Sequence, residues 1–438
     1  MLFQKKEIGV YSKIVGLALL LFAMISAANI RVYGQEEMIL KDEVPLAVEN
    51  GIYKVTVSAY NFTKNLTRFC YEVNGVDAMG SKNLDAGKTK NFSCKVAVTE
   101  GSLCVDIPDN ISADALEIKA VALEENAPKE KKSIYFLGDS TTRYYEEDEE
   151  RGGVGQGFLS ALSSGTIGET TELEDTRYYA TLTETDFLDV YNFSRSGQST
   201  KTMLKTGVVN DLLCSIGEGD TVFIMLGHND YLSENESIKT TPSQYRANLK
   251  KIIASIQAMK GIPVLVGPTN QYIYTSNGKA KRTLRSCENK MRKVATATGV
   301  SYIDLGSVQR MYMNEVGSVV SERLFIYDYD GYDITHLTKY GAKVIGKMFG
   351  YLVLQDENLK DLHPYITLDY SPIVTAMVRT QKIKFSRYKA RSVRRFNIAR
   401  RRALVYAFVR GKNSSVVYNY AQTIYQAKKY LVRKKSKS

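Results

Sequence analysis

The chain of 438 residues contains no Trp, only three His and only five Cys. No two Cys stand in a C-x-x-C pair, and the few His are scattered along the chain. A Cys/His zinc site is therefore not expected, because such sites draw their ligands from closely spaced pairs. The spacing of Cys70, Cys94 and Cys104 leaves open whether one disulfide joins two of them.

The N-terminal apolar run, residues 14–28, is too short to span a membrane comfortably, since a span needs about 20 residues. Three Lys precede this run and small residues follow it, which is typical of a secretory signal. We therefore expect residues 1–34 to be a signal peptide, cleaved after Ala27 or Gly34, and the protein to be secreted. The alternative is an uncleaved anchor, which would place the protein at the membrane.

Acidic residues are missing from the C-terminal part of the chain. Residues 379–438 contain 19 Lys and Arg and no Asp or Glu, although the formal charge of the whole chain is only +12. We see too few apolar residues in a steady period there for a packed domain, and expect residues 357–438 to form a basic tail. Such a tail would hold the protein on an anionic cell-wall polymer, or else be disordered without a specific partner. Nucleic acid is not expected as a partner of an exported protein.

Residues 36–128 alternate apolar and polar side chains, as strands do; residues 51–60 are one example. Residues 92–98 and 102–107 predict a hairpin that turns at Glu100-Gly101. We therefore expect a small all-β sandwich, followed by a charged linker.

From residue 133 onwards, short apolar runs alternate with stretches of helical periodicity. The runs are residues 134–137, 187–192, 221–226, 262–266 and 300–305, and the clearest helical stretches are residues 245–259 and 285–298. This alternation predicts an α/β domain over residues 130–356, with a parallel sheet that helices cover on both faces. In such sheets, ligands bind beyond the carboxyl ends of the strands.

Three motifs follow the first three runs. Ser140, in Gly138-Asp-Ser-Thr-Thr142, is expected to open a helix and expose its hydroxyl at the sheet edge. Gly197 can bring a backbone N–H close to a substrate oxygen, and Asn229 can donate a side-chain N–H to the same oxygen. Each motif alone has a plainer explanation as an N-cap, a loop glycine or a turn residue.

The fourth motif is Asp333-Ile-Thr-His336, ahead of a predicted helix at residues 337–349. A carboxylate three residues before a His, in a turn, can fix the tautomer of the ring and leave its other nitrogen to take a proton from Ser140. The motifs together supply a nucleophile, a base, an orienting acid and oxyanion donors. We expect His228 to be a structural neighbour of this site and assign no role to His363.

These motifs resemble the four blocks of the SGNH (GDSL) hydrolases, with Ser140, Gly197, Asn229 and His336 at the defining positions and Asp333 as the triad acid. The resemblance implies a three-layer α/β/α domain with a flavodoxin-like parallel sheet. It also implies a catalytic triad of Ser140, Asp333 and His336, an oxyanion hole of Ser140, Gly197 and Asn229, and no cofactor.

Within this superfamily, the motifs resemble those of rhamnogalacturonan acetylesterases, which read G-D-S-T, G-[RQ]-S-[TS], G-H-N-D and D-x-T-H followed by G-A. Two features depart from that pattern: residues 153–157 replace a Gly-Trp-Gly segment, and residues 166–186 are inserted before the second run. The resemblance implies a serine esterase that removes O-acetyl groups from an extracellular, pectin-like polysaccharide. The alternatives are an acyltransferase that acts on cell-wall polymers and a surface-binding protein with vestigial catalysis.

Overall fold

The computed structural model of the protein describes residues 37–60, 66–78, 82–108, 116–123, 129–146, 149–162, 167–174, 176–328, 331–368, 371–381, 383–410 and 414–434. The predicted signal peptide, residues 1–34, lies outside these ranges. Within them, no helix is both long enough and apolar enough to cross a membrane. All five Cys are free thiols, so the disulfide that the sequence left open is not formed.

The described residues before the linker form an all-β unit, which we call the β domain. Its strands are β1 (Met38–Leu40), β2 (Leu46–Ala47), β3 (Gly51–Ala59), β4 (Leu66–Phe69), β5 (Glu72–Val73), β6 (Val76–Asp77), β7 (Lys82–Leu84), β8 (Lys90–Val98), β9 (Ser102–Leu103), β10 (Val105–Asp106) and β11 (Leu116–Ala122). The largest sheet has the order β1-β11-β3-β8 and is antiparallel throughout. Burial alternates along β3, where Val55 and Val57 are fully buried, because successive side chains of a strand point to opposite faces.

The hairpin predicted from residues 92–98 and 102–107 is wrong. Strand β8 pairs along its whole length with β3, whereas β9 pairs with β2 and β10 pairs with β5. Alternation identified the strands but could not identify their partners. Pairing is decided by the shared apolar core, to which Phe69, Phe92 and Leu103 contribute.

The second unit contains Ser140, Asp333 and His336, the predicted catalytic residues, and we therefore call it the catalytic domain. It is built on a mixed seven-stranded sheet. The strands of this domain are β12 (Ser133–Gly138), β13 (Arg151–Gly152), β14 (Ile167–Glu172), β15 (Thr181–Thr185), β16 (Asp189–Asn192), β17 (Thr221–Met225), β18 (Ile262–Val266), β19 (Ser301–Ile303), β20 (Phe325–Asp328) and β21 (Gly331–Thr338). The central sheet has the order β14-β15-β16-β12-β17-β18-β19, and β13-β21-β20 form a small separate sheet. Strands β16 to β19 and β12 are parallel as predicted, but the inserted residues 166–186 add the antiparallel strands β14 and β15 at one edge.

Helices cover both faces of this sheet. They are α1 (Val154–Phe158), α2 (Thr200–Lys205), α3 (Val208–Leu213), α4 (His228–Leu232), α5 (Pro242–Ala258), α6 (Arg285–Thr298), α7 (Leu305–Val316), α8 (Ser318–Ser321) and α9 (Lys339–Val353). The buried side chains of β12 divide between the two faces: Phe136 packs with α1, α7 and α9, and Tyr135 packs with α3, α5 and α6. The two-residue period of the strand thus produces the two apolar cores.

Residues 357–438 are not an unpacked basic tail. The described part contains α10 (Ser371–Gln381), α11 (Ala390–Arg410) and α12 (Ser414–Lys429). Phe396, Phe408 and Ile424 are buried in the same core as Phe136. The sequence interpretation was wrong because clustered Arg masked a helical period, in which apolar residues face the core while Arg394, Arg395 and Arg402 remain exposed.

We predict that Phe408→Ala will lower the free energy of unfolding by about 3–5 kcal/mol, as loss of a buried aromatic side chain does. Phe408 is 1% exposed and its ring lies 5.9 Å from the ring of Tyr351 in α9. Urea unfolding of the full chain measures the effect. As a control, Tyr418→Ala, at a side chain that is 57% exposed, should change the value by less than about 0.5 kcal/mol. A full-length Phe408→Ala protein as stable as the wild type would mean that α11 is not packed on the catalytic domain.

Candidate active site

The predicted site residues come together at the carboxyl edge of the central sheet. Ser140 follows β12, Gly197 follows β16, and Asn229 lies in α4, directly after β17. Because these strands are parallel neighbours, their carboxyl ends meet at one edge. Asp333 and His336 reach the same edge from β21.

Ser140, His336 and Asp333 form a continuous hydrogen-bonded chain. Ser140 Oγ lies 2.8 Å from His336 Nε2, and His336 Nδ1 lies 2.5 Å from Asp333 Oδ2. The other carboxylate oxygen of Asp333 accepts hydrogen bonds from the backbone N–H groups of Thr335 and His336, each at 2.9 Å. Because Nδ1–H donates to Asp333, Nε2 is left unprotonated and can accept the proton of Ser140.

The charge on Asp333 is strongly stabilised. Partial burial raises the pKa of this carboxyl group, but the hydrogen bonds from the His336 ring and from the backbone N–H groups of His336 and Thr335 outweigh burial and hold the pKa well below its usual range. Asp333 therefore remains ionised whenever His336 is neutral. Its charge can stabilise the imidazolium that forms when His336 takes a proton.

The local structures around Ser140 and His336 differ from the predictions. Ser140 does not open a helix: the backbone N–H groups of Thr142 and Arg143 both donate to the carbonyl oxygen of Asp139, which closes one isolated turn. The Asp139 side chain stabilises this turn, because its Oδ1 accepts from both the N–H and the hydroxyl of Thr141, at 2.9 and 2.7 Å. The Asp333–His336 segment lies in a strand, β21, rather than in a free turn.

Gly197 lies in the loop after β16, and Asn229 lies in the short helix α4 that follows β17. Gly197 has a φ of +76°, in the left-handed region that favours glycine. Asn229 Nδ2 donates to the carbonyl oxygen of Gln198 at 2.9 Å, which joins the Gly197 loop to α4. A side-chain amide carries two N–H groups, so the second one can serve a substrate oxygen.

A buried carboxylate, Asp230, also connects the Gly197 loop with α4. Asp230 is fully buried and accepts hydrogen bonds from the backbone N–H and the hydroxyl of Thr200, at 3.0 and 2.6 Å, and from the hydroxyl of Thr240 at 2.9 Å. Burial raises the pKa of Asp230, and the hydrogen bonds from Thr200 and Thr240 oppose that rise. Asp230 thereby ties the loop of Gly197 to the helix that carries Asn229.

Tyr145 supports Ser140 from within the protein and was missed in the sequence. It is only 2% exposed, and its hydroxyl donates to the backbone carbonyl oxygen of Ser140 at 2.8 Å. Nothing in the sequence marks it, since it stands among acidic residues without apolar periodicity. Tyr145 therefore orients the turn that carries Ser140.

His228 and the loop after β18 hold the two halves of the site together. His228 is buried; its Nε2 donates to the carbonyl oxygen of Thr269 at 3.0 Å and its Nδ1 lies 3.4 Å from Asp139 Oδ2. In the same loop, Gln271 Nε2 donates to Thr335 Oγ1 at 2.9 Å, and the backbone N–H of Tyr272 donates to the carbonyl oxygen of Ile334 at 2.7 Å. This loop thus links the segment of His336 to the turn of Ser140. Across the described part of the chain, no cluster of three or more potential metal ligands occurs.

The sequence is similar to known hydrolases over the catalytic domain. Residues 134–349 match the family described as GDSL-like Lipase/Acylhydrolase. The "Probable rhamnogalacturonan acetylesterase YesY" of Bacillus subtilis strain 168 is 27% identical over 216 residues, which are 49% of this chain and 89% of that protein. Rhamnogalacturonan acetylesterase RhgT of the same organism is 24% identical over 226 residues, 49% of this chain and 86% of its own. The solved structure of Axe2, an acetylxylan esterase from Geobacillus stearothermophilus, is 15% identical, covers 52% of this chain and 96% of its own, and gives a TM-score of 0.36.

We predict that Asp333→Asn will lower kcat for 4-nitrophenyl acetate by about 10³–10⁴-fold, because an amide N–H facing Nδ1 favours the wrong tautomer of His336. Circular dichroism should show an unchanged fold. Asp361→Asn, at an exposed position remote in sequence, is the matched control and should keep full activity. Equal rates for Asp333→Asn and the wild type would remove Asp333 from the triad.

Proposed function

The catalytic domain belongs to the GDSL-like lipase/acylhydrolase family, which makes the protein a carboxylic ester hydrolase, and we propose that it removes O-acetyl groups from an extracellular polysaccharide. The observation that carries the proposal is the hydrogen-bonded chain from Asp333 through His336 to Ser140. A hydroxyl next to a histidine that a partly buried carboxylate orients is the arrangement of a serine nucleophile.

In the first half of the reaction, Ser140 Oγ attacks the acetyl carbonyl carbon while His336 Nε2 takes the hydroxyl proton. The backbone N–H groups of Ser140 and Gly197 and the side-chain amide of Asn229 stabilise the negative charge that develops on the carbonyl oxygen. The bond to the sugar oxygen then breaks, and His336 returns the proton to that oxygen. The products of this half are a free sugar hydroxyl and an acetyl group on Ser140.

In the second half, His336 takes a proton from water, whose oxygen attacks the acetyl carbon. The tetrahedral intermediate collapses, Ser140 Oγ leaves and recovers the proton from His336, and acetate is released. Every step uses the same donors and the same base. Side chains and backbone N–H groups of the chain therefore account for the whole cycle.

Two curated relatives with rhamnogalacturonan acetylesterase in their names support a pectin-like substrate, and the N-terminal residues 1–34 support export. The polymer would then be met outside the cell, where acetylated wall polysaccharides occur. Acetate release from acetylated pectin, xylan and peptidoglycan, compared side by side, tests the substrate class.

We predict that Ser140→Ala will lower kcat for acetate release by at least about 10³-fold while the fold remains intact. A half-exposed Ser contributes little to stability, so the unfolding midpoint should be unchanged. Ser386→Ala, at an exposed serine before α11, is the matched control for loss of a serine hydroxyl away from the site. Wild-type turnover by Ser140→Ala would contradict the mechanism.

We also propose that the C-terminal helices bind an anionic wall polymer. The chain end pairs with the start of α11: the backbone N–H of Lys389 donates to the carbonyl oxygen of Val432 at 2.7 Å, and that of Lys434 donates to Arg387 at 2.9 Å. This pairing collects exposed cations, which we call the basic end: Arg387, Lys389, Arg391, Lys428, Lys429, Arg433 and Lys434. A surface of one charge sign attracts polymers of the opposite sign.

We predict that replacing Lys428, Lys429, Arg433 and Lys434 by Gln will abolish sedimentation with cell walls at low salt without reducing turnover of a small ester. Truncation is unsuitable, because the helices pack on the catalytic core. Binding of the wild type should be lost at about 1 M salt, where the Debye length is about 3 Å. The control replaces the same number of exposed cationic residues elsewhere, at Lys88, Lys250, Lys281 and Lys293. Equal loss of binding in both variants would contradict a specific role of the basic end.

A further inference from the structure

Two Arg and two Tyr form a pair of stacked contacts beside the nucleophile, which we call the rim. The guanidinium carbon of Arg195 lies 3.7 Å from the ring centre of Tyr178, and that of Arg143 lies 5.4 Å from the ring centre of Tyr179. Arg143 also lies over the ring of Tyr145, which supports Ser140. Planar guanidinium groups over aromatic faces form cation–π contacts that hold both partners in place.

The rim lies against the catalytic residues. Arg143 is three positions after Ser140, and its Nη1 donates to the hydroxyl of Ser196 at 3.4 Å, next to Gly197. The backbone N–H of Arg195 donates to the carbonyl oxygen of Gly138 at 3.0 Å, at the end of the strand that leads to Ser140. A sugar whose acetyl group reaches Ser140 would therefore meet these side chains.

The chemistry of the rim suits a sugar ring. Arg143 and Arg195 are half-buried, and neither has a carboxylate partner among the residues that the structure describes. Their N–H groups can therefore donate to hydroxyl or carboxylate oxygens. Tyr178 and Tyr179 are also half-buried, and a tyrosine offers an apolar face together with a polar tip. Tyr178 also packs against the core that contains Tyr135, so the two tyrosines hold the guanidinium groups of Arg195 and Arg143 in place for a sugar.

Both tyrosines belong to the inserted residues 166–186. Arg177, which directly precedes Tyr178, holds this insertion in place through contacts that we call the clamp. Arg177 forms an ion pair with Asp211 of α3, and its backbone N–H also donates to Asp211, at 2.8 Å. Its Nε donates to the carbonyl oxygen of Ala78 at 2.7 Å and its Nη2 donates to that of Lys95 at 3.4 Å. Ala78 and Lys95 belong to the β domain, so Arg177 joins the β domain, α3 and the insertion at one point.

The ion pair in this clamp is buried, so breaking it would cost free energy of folding. The side chains of Arg177 and Asp211 are 12% and 9% exposed. Asn210, beside Asp211, adds two contacts to the same strand of the β domain: it accepts from the N–H of Ala97 at 2.9 Å and donates to the carbonyl oxygen of Lys95 at 3.0 Å. Removing one partner of a buried ion pair leaves an uncompensated charge. The ion pair therefore fixes the backbone at Arg177 and with it the position of the next residue, Tyr178.

We propose that the rim is a glycan-binding subsite that holds the sugars flanking the acetylated residue, and that the β domain sets its position through Arg177. The proposal rests on the esterase function proposed above. It assigns to Arg143, Tyr178, Tyr179 and Arg195 a role in selecting the polymer, and to Arg177 a positioning role without substrate contact. The insertion thus supplies a substrate wall that the central sheet alone lacks.

The test compares kcat/KM for an acetylated oligosaccharide with kcat/KM for 4-nitrophenyl acetate, which carries no sugar. In the Tyr178→Ala/Tyr179→Ala protein, the ratio of the two should fall about tenfold, mainly through KM for the oligosaccharide, since two stacked contacts are lost. Arg177→Ala should lower the ratio in the same direction. Arg177→Lys keeps the charge but cannot reach several acceptors at once. Its ratio should therefore lie between those of Arg177→Ala and the wild type.

Tyr418→Ala, at an exposed tyrosine of α12, is the matched control and should leave the ratio unchanged. An unchanged ratio in the double tyrosine variant would overturn the subsite, and a normal ratio in a folded Arg177→Ala protein would overturn the role of the β domain. Calorimetry with deacetylated pectin and xylan oligosaccharides separates these failures from failure of the esterase proposal. The Ser140→Ala protein should bind these oligosaccharides, and adding Tyr178→Ala and Tyr179→Ala should abolish that binding. This result would support the subsite even if no carbohydrate is deacetylated. If the Ser140→Ala protein did not bind the oligosaccharides, the subsite would be overturned.

Discussion

The active site depends on a contact between the backbones of α1 and α9 that only glycine permits. A Cβ atom on Gly157 would lie 1.9 Å from the carbonyl oxygen of Ala342, and one on Gly346 would lie 2.1 Å from the carbonyl carbon of Gly157. Real side chains do not fit at such distances, so the helices approach as closely as their backbones allow. Because β21 leads directly into α9, and α1 follows the loop after Ser140, this contact sets how far His336 lies from Ser140.

Close backbone packing also explains the glycines of two short motifs. In the segment Gly153-Val-Gly-Gln-Gly157, which departs from the acetylesterase pattern, packing also requires Gly153, because a Cβ there would lie 2.0 Å from the carbonyl oxygen of Arg143. Gly341 likewise lies against Leu324, where a Cβ would be 2.1 Å from the carbonyl oxygen. Packing therefore accounts for Gly153 and Gly157 of this segment and for Gly341 of the Gly341-Ala342 pair.

Around the active site, hydrogen bonds from buried polar side chains hold loops that have no regular secondary structure. Asp230 ties the Gly197 loop to α4, Tyr145 holds the turn of Ser140, and the loop of Thr269 connects His228 with the segment of His336. Such groups are costly to bury alone and stable when they are fully hydrogen-bonded. They specify one arrangement of the loops, which is what a nucleophile and a base from distant parts of the chain need.

The sequence by itself determined the alternation of strands and helices in the catalytic domain and the identity of Ser140, Gly197, Asn229, Asp333 and His336 as candidates, because period, order and strand ends are local properties. Only the tertiary structure decided which strands of the β domain pair, that the Arg-rich C-terminal residues pack as helices, and that Arg177 joins two domains beside the site. These features depend on contacts between residues far apart in the chain. Their free energy comes from shared burial and paired charges, which no local pattern of residues records.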